Sequence, residues 1–201
     1  MTDPQVRIGH CSPDAPNVDV YADDGMILED VPFGTISDYM GLPEGGHELR
    51  VTATGDDAAV IEASVDLAAD SATTVLATGM LDEIEPSMFP DEPGQVPSGK
   101  AHVRFIHASP DAPRVNIAVR DGPTLFRRAK FRSATDYEQV DAGQYDIDVT
   151  PTGSDEAALS LPGLTFDGGS AYTAIAIGLA GDGTLDAVLI EDAMVEMAAD
   201  D

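Results

Sequence analysis

Val6-Arg7-Ile8-Gly9-His10-Cys11-Ser12-Pro13-Asp14-Ala15-Pro16 returns about 97 residues later as Val103-Arg104-Phe105-Ile106-His107-Ala108-Ser109-Pro110-Asp111-Ala112-Pro113. That spacing is too long for a solenoid repeat, so the duplicated unit is a whole domain. The correspondence runs on: Phe33 matches Phe131, Asp38-Tyr39 matches Asp136-Tyr137, Gly45 matches Gly143, Ser71-Ala72 matches Ser170-Ala171, and Gly79 matches Gly178. Features intrinsic to the fold should stand in both copies, and specialised features in one. The expected organisation is a first repeat over 1–90, a Pro/Gly-rich linker over 91–99, a second repeat over 100–192 and a short acidic tail over 193–201.

Within each copy apolar residues alternate with polar ones, as Val6, Ile8 and His10 do, or Leu49 and Val51 between Glu48 and Arg50. Period two is the pattern of a half-buried strand. Turn signals recur every 8–12 residues or so: Asp24-Gly25, Gly45-Gly46, Gly55-Asp56, Asp121-Gly122, Gly181-Asp182-Gly183. Short strands at that spacing point to an all-β chain. The expectation is two tandem β-sandwich domains, Greek-key and immunoglobulin-like or transthyretin-like. In the first copy, strands are expected near 6–10, 17–22, 26–29, 32–38, 47–53, 60–67 and 72–79, with an eighth at 83–89. A weak helical pattern lies at 193–199.

The His-x-Ser-Pro-Asp-Ala-Pro string reads as a rigid reversal between the first two strands. Pro13 and Pro110 preset φ at a turn position, while Ser12, Asp14, Ser109 and Asp111 can bond nearby backbone. Pro16 and Pro113 push the preceding residue toward extended geometry. His10 and His107 fall in phase with the core, so each is expected to be a buried imidazole bonded to the Asp or Ser of its own turn. The rival reading makes His10/Asp14 and His107/Asp111 metal-binding or acid–base pairs. Each pair supplies two ligands where metal sites normally need three or four. Cys11 becomes Ala108 in the second copy, which fits a small buried filler. Neither an EF-hand loop, a phosphate-binding glycine loop nor a Gly-x-Ser-x-Gly elbow is present, so no cofactor is expected.

The motif, together with Asp19-Val20-Tyr21, Phe33-Gly34-Thr35-Ile36-Ser37-Asp38-Tyr39 and Leu42-Pro43-Glu44-Gly45, resembles domain of unknown function 4397. The resemblance implies tandem β-sandwich copies, often in exported or surface proteins, and carries no established activity. The second copy departs from it, with Asn116 for Asp19 and Phe131-Arg132-Ser133-Ala134-Thr135 for Phe-Gly-Thr-Ile-Ser.

The 201-residue chain has 37 Asp and Glu against 10 Lys and Arg, a formal charge of −27. Its lysines are Lys100 and Lys130, and it has no Trp. This acidic, lysine-poor composition is similar to that of proteins from salt-accumulating haloarchaea. It argues against nucleic-acid binding, which needs a basic footprint. No apolar run approaches the roughly 18 residues of a membrane span. The start shows no signal peptide, so a cytoplasmic place in a high-salt cell is expected, or an exported or cell-surface one if a leader is removed.

Eight of the ten cations lie between Lys100 and Arg132. Arg128, Lys130 and Arg132 alternate with Ala129 and Phe131. On a strand they would form one positive face, with Phe131 toward the core. Such a face either guards an edge strand or docks an acidic partner: the first domain, another subunit or an anionic ligand. The expected role is therefore a salt-adapted, non-enzymatic interaction or structural protein, with a protein partner or self-association as a homo-oligomer. The alternatives are a glycan- or metal-binding module, then a hydrolase-like enzyme using the His/Asp motifs.

At ordinary salt the self-repulsion of −27 should weaken folding, whereas at molar salt the Debye length falls to about 3 Å. Thermal midpoints in low and molar potassium chloride should differ by tens of degrees, as expected for a loss of several kcal/mol in a domain of about 100 residues. Equal midpoints would contradict the salt-adapted reading.

Overall fold

A computed structural model describes residues 2–192. They form two compact units that divide between Glu92 and Pro93. The first contains β1 (Gln5–Cys11), β2 (Val18–Ala22), β3 (Gly25–Val31), β4 (Met40–Gly41), β5 (Gly45–Ala53), β6 (Ala59–Leu67), β7 (Ala72–Thr78) and β8 (Glu85–Pro90), with a 3₁₀ turn at Leu81–Glu83. The second contains β9 (Lys100–His107), β10 (Val115–Val119), β11 (Thr124–Ala129), β12 (Ser133–Ala134), β13 (Glu138–Asp141), β14 (Gly143–Pro151), β15 (Leu159–Phe166), β16 (Ala171–Ile177) and β17 (Asp186–Glu191).

The first unit is a sandwich of two sheets, ordered β4-β1-β7-β8 and β3-β2-β5-β6. The second repeats this as β12-β9-β16-β17, with β13 also on β9, and β11-β10-β14-β15. β1 runs parallel to β7 and β9 parallel to β16, while the other pairings are antiparallel. Both inner faces carry the residues selected by the alternation. Val6, Ile8, Val20, Val51, Ile61 and Val75 fill one core, and Val103, Phe105, Ile117, Ile147, Val149 and Tyr172 the other. No helix among the described residues is long and apolar enough to cross a membrane.

Residues 32–38 are not a strand, contrary to the sequence reading. Gly34 takes φ +82°, and Thr35 N–H closes a turn onto the Pro32 carbonyl. The segment then crosses β1 through one bridge, Gly9 to Ile36. The expected linker also begins too early. Asp91 is 2% exposed and belongs to the first unit, its N–H bonded to the Ala72 carbonyl. The helical pattern at 193–199 and the acidic tail lie outside the described residues.

The Gly9–Ile36 crossing shows how the copies repacked. A Cβ on Gly9 would stand 2.3 Å from Ile36 Cδ1 and 2.6 Å from Leu76 Cδ2. In the second unit the same crossing pairs Ile106 with Ala134, so the large residue has changed sides. Gly9→Ile alone should destabilise by about 1–3 kcal/mol through overpacking. Adding Ile36→Ala should restore much of that loss, as read by denaturant unfolding in molar salt; additive losses would contradict the exchange.

Candidate functional site

Each copy of the repeated motif builds the same small structure at the end of its first strand. His10 and His107 are each 1% exposed. Their Nε2 atoms donate to the carbonyls of Pro16 (2.9 Å) and Pro113 (3.0 Å). This contact requires the proton on Nε2 and leaves Nδ1 as an acceptor, which takes the Ser12 N–H at 3.4 Å in the first copy. The imidazoles therefore bond backbone and not the side chains of their own Asp or Ser. Burial pushes both below the ordinary histidine value, the proline carbonyls acting in the opposite direction.

Asp14 and Asp111 turn away from the imidazoles and cap distant loops. Asp14 Oδ1 accepts the Leu81 N–H at 2.7 Å. Asp111 accepts the N–H groups of Ala180 and Gly181 at 2.7 and 2.8 Å. The predicted His/Asp pairs are thus not formed. Among the described residues no group of three or more His, Cys, Asp or Glu side chains is placed to hold a metal ion. Cys11 is fully buried, and desolvation drives its thiol up to about 12.

The loop after β3 covers the imidazole. Gly34 N–H donates to the His10 carbonyl, and His10 N–H to the Thr35 carbonyl. Phe33 meets the His10 ring edge-on, with centroids 6.2 Å apart. Phe131 meets His107 at 6.3 Å, and Arg132 N–H replaces that of Gly34 on the His107 carbonyl. Phe33 and Phe131 cap the motif from the rim; Phe33 itself remains 36% exposed.

A second repeated constellation has no counterpart in the sequence reading. Arg7 and Arg104 point to the face of their strands opposite the core, yet are 2% and 3% exposed. Arg7 Nε donates to Thr74 Oγ1 (2.7 Å), and Thr74 donates to the Asp91 carboxylate. Tyr39 OH donates to Asp91 Oδ2 (2.6 Å), and the guanidinium lies over the Tyr39 ring at 4.7 Å. Arg104, Thr173, Asp192 and Tyr137 repeat the arrangement with contacts of 2.7–2.8 Å and a ring distance of 4.9 Å. The available signal was that all four residue types recur at matching positions of the duplication.

With this shared geometry the family comparison is unambiguous: residues 4–118 and 101–201 both match the family described as domain of unknown function (DUF4397). The chain belongs to that family. Among curated proteins none matches. Solved structures with detectable similarity include the C-terminal domain of AlgF from P. aeruginosa, at 14% identity and TM-score 0.34 over 47% of this chain and 98% of that one. A family CBM26 module of Eubacterium rectale Amy13K, in complex with maltoheptaose, aligns at 8% identity and TM-score 0.29 over 96% and 98%. A putative cell adhesion protein of Bacteroides fragilis aligns at 8% and 0.23 over 97% and 100%. At these scores none of the three bears on a ligand or role.

The two DUF4397 copies differ most in charge. Arg128, Lys130 and Arg132 do not share one strand face. β11 ends at Ala129 and the other two lie in the following turn. Arg128 and Arg132 both adopt left-handed backbone, φ +58°, which breaks the alternation. Arg128 N–H is held by Asn116 Oδ1 (2.9 Å), as Asp30 N–H is by Asp19 Oδ1 (2.7 Å). Asn116 thus keeps one bond of Asp19, which also accepts from Thr54 Oγ1 and the Gly55 N–H. Arg132 lies over the Phe131 ring at 4.8 Å. His47, in the first copy alone, bridges Asp23 (2.9 Å) and the Pro43 carbonyl (2.8 Å). Those two bonds raise it above the ordinary histidine value. Tyr145 stands in its place in the second copy, donating to the Asp141 carbonyl.

The histidines therefore act in opposite directions. A lowered folded pKa makes the contribution of His10 and His107 present above about 6.5 and lost as pH falls below it. A raised one makes that of His47 present below about 6.5 and lost as pH rises through its folded value. Imidazole NMR titration should place His47 above 6.5 and His10 and His107 below it, taking the ordinary value as reference; the reverse order would contradict the hydrogen-bond assignments. Separately, Arg7→Ala should cost about 3–5 kcal/mol by stranding a buried carboxylate. A loss under about 1 kcal/mol, the value of a surface pair, would contradict the buried network.

Proposed function

We propose that this DUF4397 chain is a salt-adapted, non-enzymatic interaction protein working in molar salt, in the cytoplasm of a salt-accumulating cell. One observation carries the reading. The chemistry-bearing residues of the repeated motif have structural work in both copies: the imidazoles hold proline carbonyls and the carboxylates hold distant loop amides. A catalytic pair would need its nitrogen and oxygen within reach of each other and of a substrate. Here the imidazoles are buried and their motif carboxylates are turned elsewhere.

The space between the sheets supports the same reading. The cavity in the first sandwich is about 20 Å³ and that in the second about 30 Å³, with apolar linings that include Val18, Val51 and Ile61 or Ile117, Ile147 and Val149. Each has room for about one water, far below the several hundred cubic ångströms of a small-molecule site. Recognition would then fall to the outer surface, where the copies have diverged.

The test combines stability with metal titration in molar potassium chloride. His10→Ala and His107→Ala should each lose about 1–3 kcal/mol by leaving a carbonyl without its donor. Calorimetry with zinc or calcium should show no stoichiometric binding that either substitution removes. A variant of unchanged stability that loses metal binding or a hydrolytic turnover would overturn the reading and favour the metal or hydrolase alternative.

A further inference from the structure

The outer edge of one sheet carries opposite charge in the two units. β3 and β11 are edge strands at equivalent positions. In the first unit β3 presents Glu29 and Asp30, both exposed, and Asn17 donates to Asp30 at 2.9 Å. In the second unit Arg127 and Arg128 replace the acids, Arg114 replaces Asn17, and Lys130 replaces Pro32. The terminal rung pairs Val115 with Ala129, so Arg114 and Lys130 flank it on the two strands. An amide–carboxylate contact has become a cluster of cations.

Other cations of this segment are matched within their own unit. Lys100 pairs with Asp141, and Arg120 with Asp148 at 2.8 Å, while Arg104 belongs to the buried network. Arg114, Arg127, Arg128 and Lys130 are exposed, and none has an ion-pair partner among the described residues. Asp155 and Glu156, in the loop after β14 at this end of the sheet, form no ion pair with them.

The backbone of this edge is common to both copies. Arg128 and Arg132 are held at φ +58°, a region that costs a non-glycine residue roughly 1–2 kcal/mol. The position of Arg132 is Gly34 in the first copy, at φ +82°. Asp30 likewise takes φ +52° at the position of Arg128, so the left-handed geometry belongs to the shared fold and the charge alone distinguishes the two edges. The ladder has register shifts on both edges, which hinder addition of a further strand and leave recognition to side chains.

We propose that the basic β11 edge of the second unit docks onto the acidic β3 edge of the first unit in another copy of this chain. The inference rests on the interaction reading above and names its partner. Arg127, Arg128, Arg114 and Lys130 meet Glu29 and Asp30 through bidentate or charge-assisted hydrogen bonds. The two edges are different surfaces, so the contact is head-to-tail. Each copy keeps one edge of each sign, and association propagates unless the rotation closes a ring.

The experiment is sedimentation velocity of the full chain over a concentration series in molar potassium chloride, where long-range repulsion is screened and direct pairs persist. Mass should grow with concentration. Arg127→Glu/Arg128→Glu/Lys130→Glu should weaken association by at least about tenfold, as should Glu29→Lys/Asp30→Lys. An equimolar mixture of the two variants should associate again, because each supplies the edge that complements the other. Arg127→Ala/Lys130→Ala, milder at the bulge, provides the test if the triple variant melts early. A wild-type chain that stays monomeric, or variants that associate as wild type does, would overturn the proposal. So would a wild-type chain that stays monomeric while its basic edge captures a labelled polyanion. None of these outcomes touches the metal titration that tests the non-enzymatic reading.

Discussion

A guanidinium and a carboxylate buried on the outer face of a sheet demand complete pairing, since an uncompensated buried charge costs several kcal/mol. In the first unit Arg7 on β1, Thr74 on β7 and Asp91 beyond β8 supply that pairing across three adjacent strands. Tyr39 adds the loop that leads into β4. The same loop places Gly34 and Phe33 over the end of β1 and thereby encloses His10. The polar network and the imidazole turn are therefore one construction: loosening the first frees the cover of the second. Its repetition around Arg104 and Asp192 shows that the requirement belongs to the fold and not to one copy's task.

Most of the architecture was legible because strand alternation and duplication are local or near-local signals. Val6 and Ile8 face the core as their period demands, and the shared strand order follows the shared sequence. The network was not legible because its members stand far apart in sequence and occupy positions that alternation assigns to solvent. Arg7 reads as a solvent-facing residue; only three-dimensional pairing buries it on that outer face. The direction of Asp14 was hidden for a related reason: turn chemistry suggests a partner within a few residues, and the actual partner is Leu81.

The basic segment shows a second limit. Period-two spacing of Arg128, Lys130 and Arg132 implies one face only if the backbone is extended throughout. Two left-handed residues break that condition. The first copy contained the warning, since Gly34 marks one of those positions. What survives is the charge asymmetry itself, carried by an edge that is acidic in one unit and basic in the other. Two copies with a common frame and one reversed surface are a direct way to obtain complementary ends from one ancestral domain.

The repeated motif is part of the rigid frame of each unit. Amide hydrogen exchange in molar potassium chloride reads this directly, because opening free energies separate core elements from mobile loops. The amides of Ile8, His10, Gly34 and Ser37, with those of Phe105, His107, Arg132 and Thr135, should fall in the slowest-exchanging class of their units. Fast exchange at these positions, with protection confined to the remaining strands, would mark the motif as a mobile functional loop and contradict the account.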